Sequence, residues 1–569
     1  LRKHCNDNSA VAELMIRRGI KTPQDADRFI TPAISDLHDP FLMPDMDKAV
    51  NRLNKAMGAK ERIMVYGDYD VDGTTAVALV YKFLRQIGHT NLMFYIPDRY
   101  TEGYGISRKG IDIAAKKGVK LVIALDCGIK AVEKVDYAKE KGVDFIICDH
   151  HLPAEEIPHA VAVLDPKRTD CTYPFDELSG CGVGFKLVQA YAQTHNIPFE
   201  KIVWLLDLLV VSIASDIVPL VDENRILAHY GLRCLNANPS EGLLSIINIC
   251  KLDRTNITID DIVFKIGPRI NAAGRMRMDE YDENDTPSGG YAAVKLLVEG
   301  DEAAATRFGG VIDGFNQDRK SIDRSVTQEA HDYIESHPEL KTRKSTVIYN
   351  PKWMKGIVGI VASRLIETYY RPTVVLTQSN GFVTGSARSI PGFDLYQAVE
   401  SCSDLLENFG GHMYAAGLTM RPENVEEFTR RFNDYVEANI DPKILVPQVE
   451  IDSMLLFSDI TPSFHRELNR FQPFGPGNNA PVFATKCVIN EKGDAKLVGA
   501  EAEHLRMDLT QTQKPNTTIQ TIAFSQPTHY EWIRSGRPID VCYQIVENHY
   551  RGSVTTQLRI KDIKRNTNK

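Results

Sequence analysis

The sequence predicts two α/β domains joined by a long helix and followed by a small C-terminal β-barrel. Three observations carry this. From Glu61, short β-type runs alternate with amphipathic helical stretches, and the same rhythm returns from Thr346 to about Ile440. Between the two, residues 301–336 are long, charged and free of proline, as an extended interdomain helix requires. After Pro442 and Pro447 the helical signal gives way to short β runs.

Residues 1–58 read as a helical lead-in, with Val11, Leu14, Met15 and Ile20 near helical spacing until Pro32 and Pro40 interrupt it. Residues 63–66 form a buried-strand candidate. A helix at 74–87 follows, with Ala76, Val77, Val80, Phe83, Leu84 and Ile87 on one broad face. Strands are expected at 92–96, 121–125 and 145–148, with helices between most of them. Such alternation builds a parallel sheet covered by helices, whose ligands bind beyond the carboxyl ends of the strands. Residues 202–218 read as an apolar helix with Asp216 near its end, and a mostly helical stretch runs from about 225 to 340. The second α/β pattern includes 356–365, 374–376, 385–388 and 410–412. Barrel strands are expected at 449–451, 482–489, 505–509, 519–524, 539–546 and 555–563. The chain thus divides into a lead-in (1–58), an α/β domain (59–300), a connecting helix (301–340), a smaller α/β domain (341–441) and a barrel (446–569).

A length of 569 residues exceeds what one hydrophobic core supports. No apolar run is long enough to span a membrane, and Leu1-Arg2-Lys3-His4 offers no signal-peptide core. Starting on Leu rather than Met, the sequence is expected to lack a few native residues. Ten scattered cysteines without a CxxC pair read as reduced thiols of a cytoplasmic protein. The net charge of -8 argues against a surface coated in basic residues. It leaves room for nucleic acid in local basic grooves, since a metal site uses acids that bound cations neutralise.

The chemistry is concentrated at the ends of the apolar runs. Gly67-Asp68-Tyr69-Asp70-Val71-Asp72-Gly73 points two or three carboxylates into one space just past a strand. Alone, such a segment is more often a surface turn or a Ca²⁺ loop, although no EF-hand glutamate follows it. Asp126 precedes Cys127-Gly128 and by itself would be a routine strand-end or cap aspartate. Asp149-His150-His151 is rarer and shifts the balance toward metal or phosphate, with imidazole favouring Mn²⁺ over Mg²⁺. Asp216 lies in an apolar segment, where burial is costly unless it ligates a cation or is hydrogen-bonded. Each feature is weak singly. Four at successive strand and helix ends of one α/β unit point to two divalent cations and metal-assisted phosphoester hydrolysis.

The order Asp-x-Asp, Asp, Asp-His-His, Asp resembles the DHH phosphoesterase superfamily, and the detailed wording resembles its RecJ branch. The resemblance is carried by 67–74, by Ser212-Ile213-Ala214-Ser215-Asp216 and by Gly267-Pro268-Arg269-Ile270-Asn271-Ala272-Ala273-Gly274-Arg275. Gly385-Ser386-Ala387-Arg388-Ser389 also matches, and Gly410-Gly411-His412 with Ala415-Ala416-Gly417 resembles the signature of the companion DHHA1 domain. It covers nearly the whole chain and implies a DHH domain, a DHHA1 domain and an OB-fold barrel. It implies Asp70 on one metal, Asp72, His150 and Asp216 on the other, Asp126 between them and Asp68 supporting the first. Asp149 would orient the histidines, so that Asp126, Asp149 and His151 count as catalytic, with His151 on the scissile phosphate. Arg269, Asn271, Arg275, Ser386, Arg388 and His412 would line the path of the strand. From the residues alone, Arg388 beside a Gly-Ser turn suits bidentate phosphate capture, as evenly as it suits an exposed loop arginine.

Two positions depart from the family. Tyr66 stands where many DHH enzymes have His, and Met354 stands where the family usually has His. The activity implied is 5′→3′ hydrolysis of single-stranded DNA to mononucleotides with two Mn²⁺ or Mg²⁺ ions, in DNA repair and recombination. Tyr530, Trp532, Tyr543 and Tyr550 are stacking candidates on the barrel, each equally able to be core. The implied setting is a cytoplasmic monomer, with a single-strand-binding protein and a RecQ-type helicase as possible partners and no membrane. Two alternatives stay open. One is a DHH hydrolase of small nucleotides or short oligonucleotides, which would need neither this length nor a barrel. The other is a non-catalytic DNA-binding scaffold, which would have no use for clustered acids that repel one another without cations.

Overall fold

The computed structural model describes residues 5, 8–276, 289–511, 517–550 and 553–566. It forms two compact units, one of His38–Asp216 and Tyr230–Pro447, the other of Leu1–Leu37, Ile217–His229 and Gln448–Lys569. Residues 277–288, within the expected mostly helical stretch, lie outside the described residues.

In the first unit, β1 (Arg62–Gly67), β2 (Leu92–Tyr95), β3 (Val119–Leu125), β4 (Asp144–Cys148) and β5 (Ala162–Leu164) form one parallel sheet in the order β2-β1-β3-β4-β5. β1, β3 and β4 are nearly continuous buried runs, the pattern of strands covered on both faces. The register aligns Gly67, Leu125, Cys148 and Leu164 across four strands. The next residue in each is an aspartate, so Asp68, Asp126, Asp149 and Asp165 form a row along the carboxyl edge. The first helix runs Val71–Gln86, three residues earlier than its apolar face suggests. Asp70 caps it, Oδ1 accepting from the Gly73 N–H at 3.0 Å. The acidic segment is therefore a strand-to-helix turn, with Asp72 already inside the helix.

The interdomain helix is continuous over Glu302–Ser336, capped by Asp301. It leads to a mixed sheet of β6 (Thr346–Tyr349), β7 (Thr373–Ser379), β8 (Phe382–Arg388), β9 (Leu406–His412) and β10 (Ala415–Met420), ordered β6-β7-β8-β10-β9. The turn expected around Gly385-Ser386 is instead part of β8. A Cβ at Gly385 would collide with Leu376 Cδ2, so glycine here serves a close strand-to-strand approach. Ala415 pairs with both Arg388 and His412, which places these two in one row across β8, β10 and β9.

The second unit is built on β11 (Ser453–Met454), β12 (Phe483–Ile489), β13 (Lys496–Val498), β14 (His504–Gln511), β15 (Thr518–Ala523), β16 (Ile539–Tyr550) and β17 (Ser553–Arg565). The strand expected at 449–451 forms no strand; pairing begins at Ser453. β12 pairs with both β16 and β14, which closes β12-β16-β17-β15-β14 into a five-stranded barrel.

Residues 1–58 do not act as one lead-in. The helices Ser9–Arg17 and Pro23–Ile30 bury Val11, Leu14, Met15 and Ala26 in the barrel's core beside Phe457, Phe464 and Phe471. The helix Met46–Gly58 belongs to the other unit. Among the stacking candidates, Tyr543 is core, fully buried with its hydroxyl 2.7 Å from Thr485 Oγ1. Trp532 packs against that core, with Arg537 and Arg565 over its ring, and Tyr530 also packs there. The Tyr550 side chain lies outside the described residues.

Arg225 fastens this unit. Its buried guanidinium donates to the carbonyls of Phe29, Phe471 and Gln472 at 2.9–3.0 Å and lies 3.9 Å from the Phe29 ring centre. Arg225→Ala would strand several buried acceptors, costing roughly 3 kcal/mol or more. The expected result is earlier thermal unfolding and faster proteolysis of the barrel unit. Among the described residues, no helix is long and apolar enough to cross a membrane.

Candidate metal centre

His150 is the pivot of the aspartate row. Its Nδ1 lies 3.0 Å from the Leu178 carbonyl, which can only accept, so Nδ1 carries the proton. The bare Nε2 then faces Asp126 Oδ1 at 3.3 Å, Asp216 Oδ2 at 3.7 Å and Asp72 Oδ2 at 3.8 Å. Asp72 accepts from the Gly180 and Cys181 N–H groups at 2.7 and 2.8 Å and from Ser212 Oγ at 2.7 Å. It thereby sits at the N-terminus of the helix Gly180–Thr194. Asp126 has φ +59°, a left-handed conformation that turns its carboxylate back over the sheet edge. Gly180 makes room for it, since a Cβ there would lie 2.6 Å from Asp126 Cβ. Asp216 arrives from another direction, as the residue ending the helix Leu206–Ser215.

The charges are unfavourable as they stand. Burial, then the charges of Asp72, Asp70 and Asp216, push the Asp126 carboxyl well above its usual range. Burial and neighbouring acids do the same to Asp216 and Asp68. Two buried carboxylates and a partly exposed one converging on a bare imidazole nitrogen are donors suited to a hard divalent cation. Among the described residues, two sets have ligand atoms all within 4.8 Å of one another: Asp72, His150 and Asp216, and Asp126, His150 and His151. Asp68 and Asp70 fall outside both. Asp68 Oδ1 lies 3.5 Å from the Gly105 N–H, and one Asp70 oxygen caps the helix.

Asp149 behaves differently in the same row. Burial opposes its charge, yet His151, its hydrogen bonds and the nearby imidazole of His150 bring its carboxyl down to about 2. It accepts from Ile129 N at 2.9 Å, His150 N at 2.8 Å and His151 Nδ1 at 2.8 Å. Burial works against a charged His151, but the bond to Asp149 and that residue's charge carry the imidazole up to about 9. Asp165, unmarked by the sequence, ends the row fully buried, with Oδ1 taking the Lys167 N–H.

Arg275 and Arg388 lie near Arg99; burial, and after it the charge of Arg99, makes both harder to protonate. Arg275 Nη1 donates to the Gly356 carbonyl at 3.0 Å, and Arg388 Nη1 donates to Ser386 Oγ at 2.7 Å. Arg99 lies 4.4 Å from the Tyr69 ring centre. His412, at the end of β9, is held below its usual value by partial desolvation and then by the charges of His151, Lys167 and Arg388. Arg269 is tied to the long helix, Nε on Asp313 at 2.9 Å, and Asn271 lies partly exposed on the short helix Gly267–Ala273.

The departures find local explanations. Tyr66 is buried, its hydroxyl donating to the Gly105 carbonyl and accepting from Ser107 N, which fixes the loop beneath Asp68. Met354 packs against an apolar cluster with Trp353 and Ile357, while Lys355 next to it lies near Arg99 and Asp98. Sequence reasoning missed Arg99, Tyr104 and Lys355, and gave Ser212 no role beyond its place in a motif. Arg99 could have been found, because it follows β2 at the same carboxyl edge as the aspartates.

The model of the DHH family N-terminal domain matches residues 62–213, that of the DHHA1 domain 344–438, and that of the RecJ OB domain 451–562. The single-stranded-DNA-specific exonuclease RecJ of Bacillus subtilis is 35% identical over 554 residues, 97% of this chain and 67% of that protein. The protein of that name from Escherichia coli is 30% identical over 571 residues, 97% and 95% of the two chains. The crystal structure of RecJ in complex with Mn²⁺ from Thermus thermophilus shares the fold, with TM-score 0.82, 24% identity, and coverage of 100% of this chain and 77% of that one. By its domain order and by relatives at least 30% identical over almost the whole of this sequence, the chain belongs to the RecJ family of DHH proteins.

Proposed function

We propose that this chain is a single-stranded-DNA-specific exonuclease, hydrolysing phosphodiester bonds from the 5′ end and releasing mononucleotides with two Mn²⁺ or Mg²⁺ ions. The observation that carries this is the convergence of Asp72, Asp126 and Asp216 on the bare Nε2 of His150, beside a cluster of arginines. Asp72, His150 and Asp216 would hold one ion, Asp70 with Asp68 the other, and Asp126 both. Such ions supply Lewis acidity and a bound water of lowered pKa.

The chain's own residues do the rest. His151, whose protonated form Asp149 favours, would meet the scissile phosphate. Arg99, Arg275 and Arg388 with Ser386 offer charged and neutral donors to phosphates of the strand, with Arg269, Asn271 and His412 further along its path. The barrel adds a surface on which a strand can lie. The same reading makes the protein a cytoplasmic monomer of repair and recombination. It would meet its substrate alongside a single-strand-binding protein and a RecQ-type helicase.

Arg388→Ala removes one charge-assisted donor and should raise KM for single-stranded DNA by roughly 10-fold or more. Steady-state kinetics on a 5′-phosphorylated oligonucleotide would register this, and an unchanged KM would remove Arg388 from the binding path. The function itself is tested by incubating the protein and Mn²⁺ with single-stranded DNA, blunt duplex and a cyclic dinucleotide. Mononucleotides from the single strand alone are expected; turnover confined to the cyclic dinucleotide would replace the assignment.

A further inference from the structure

The hydroxyl of Tyr104 occupies an unusual position. It donates to the main-chain carbonyl of Asp126 at 3.0 Å, and it lies 3.2 Å from His151 Nε2 and 3.3 Å from Nδ1. Nδ1 of His151 is already committed to Asp149 at 2.8 Å. With its hydrogen given to Asp126, the Tyr104 oxygen turns a lone pair toward the imidazole. One hydroxyl thus touches the backbone of the aspartate with left-handed φ and the ring of the histidine beside it.

The ring of Tyr104 continues the arrangement. It meets His151 edge-on at 5.7 Å and Tyr69 edge-on at 6.4 Å, and Tyr69 carries Arg99 over its face at 4.4 Å. A column therefore runs Arg99, Tyr69, Tyr104, His151, Asp149, from the arginine cluster to the aspartate row. Edge-to-face contacts and a cation over a ring are directional, so each member restricts the next. Tyr104 is nonetheless half exposed, far more than packing alone would ask of a core tyrosine.

We propose that Tyr104 is a positioning residue for the hydrolytic site, its hydroxyl fixing both the strained Asp126 turn and the imidazole of His151. This rests on the function proposed above, with Asp126 as a shared metal ligand and His151 on the scissile phosphate. Neither group is held by Tyr104 through charge, so its effect falls on alignment at the bond being cut. Loss of alignment lowers kcat and leaves the grip on the rest of the strand unaltered.

The test compares wild type with Tyr104→Phe and Tyr104→Leu on single-stranded DNA, with Mn²⁺ binding followed by calorimetry and folding by thermal melting. Tyr104→Phe keeps the ring and loses only the hydroxyl; kcat should fall about tenfold or more, with KM within about twofold and the melting temperature unchanged. Tyr104→Leu should lose at least as much. Wild-type kcat in Tyr104→Phe would overturn the proposal, and a deficit seen only in Tyr104→Leu would overturn it too, reducing Tyr104 to a packing residue. A parallel rise in KM would assign it to strand binding instead. If the wild-type protein itself leaves single-stranded DNA intact, the function fails; if wild type cuts and Tyr104→Phe cuts equally, only the role of Tyr104 fails.

Discussion

Asp126→Asn should reduce hydrolysis of single-stranded DNA by about 10³-fold, the upper range for loss of one preorganised electrostatic group, while the variant still binds the strand. Asparagine is the informative replacement because Asp126 has φ +59°, which Asn tolerates and Ala does not. The second effect has the opposite sign. Burial and the charges of Asp72, Asp70 and Asp216 hold the Asp126 carboxyl far above its usual range, so an ionised Asp126 destabilises the metal-free fold. The folded protein keeps a proton there that the unfolded chain releases. Metal-free stability is therefore full below the ordinary carboxylate range and declines as pH rises above it. In chelator at neutral pH, Asp126→Asn should melt higher than wild type. A variant that melts lower and cuts normally would mean that Asp126 is a structural cap.

Asp149→Asn should lower kcat by about 10²-fold, the size expected when the partner orienting a ligand or catalytic histidine is lost. Its stability effect runs the other way from Asp126→Asn. Asp149 accepts from Ile129 N, His150 N and His151 Nδ1, and its carboxyl is held down to about 2, so its charge stabilises the fold at neutral pH. An amide cannot accept from all three, and the stranded buried donors should cost roughly 1–3 kcal/mol. Two neighbours in one row of aspartates thus give melting shifts of opposite sign in chelator. A shared sign would contradict the division between them, in which one carboxylate awaits a cation and the other serves the histidines.

That division was only partly legible in the sequence. Asp68, Asp126 and Asp149 each follow an apolar run, and a parallel sheet sends such residues to one edge. The register that lines them up with Asp165 is a property of strand pairing, which residue types along one strand do not encode. Asp216 stands out as an acid near the end of an apolar helix, but its meeting with His150 depends on how that helix crosses the sheet. Periodicity also shows the apolar spacing of Val11, Leu14, Met15 and Ile20 without saying what these residues bury against. Their partners are barrel residues more than 400 positions away, so the stretch reads as a separate lead-in. Tyr543 shows the reverse limit, since an aromatic in a strand reads the same whether its ring meets solvent or core. Arg99 and Tyr104 gave no motif at all, and their importance lies in contacts across the sheet edge.

If this aspartate and histidine cluster is a metal centre that removes nucleotides singly from the 5′ end of a single strand, both properties can be read in one experiment. Chelator-treated protein is given a 5′-labelled single strand, and the products are analysed before and after Mn²⁺ is restored. No cleavage is expected without metal, and restored Mn²⁺ should release the label as a mononucleotide. Equal cleavage by the chelated protein, or label appearing only in longer internal fragments, would contradict this reading.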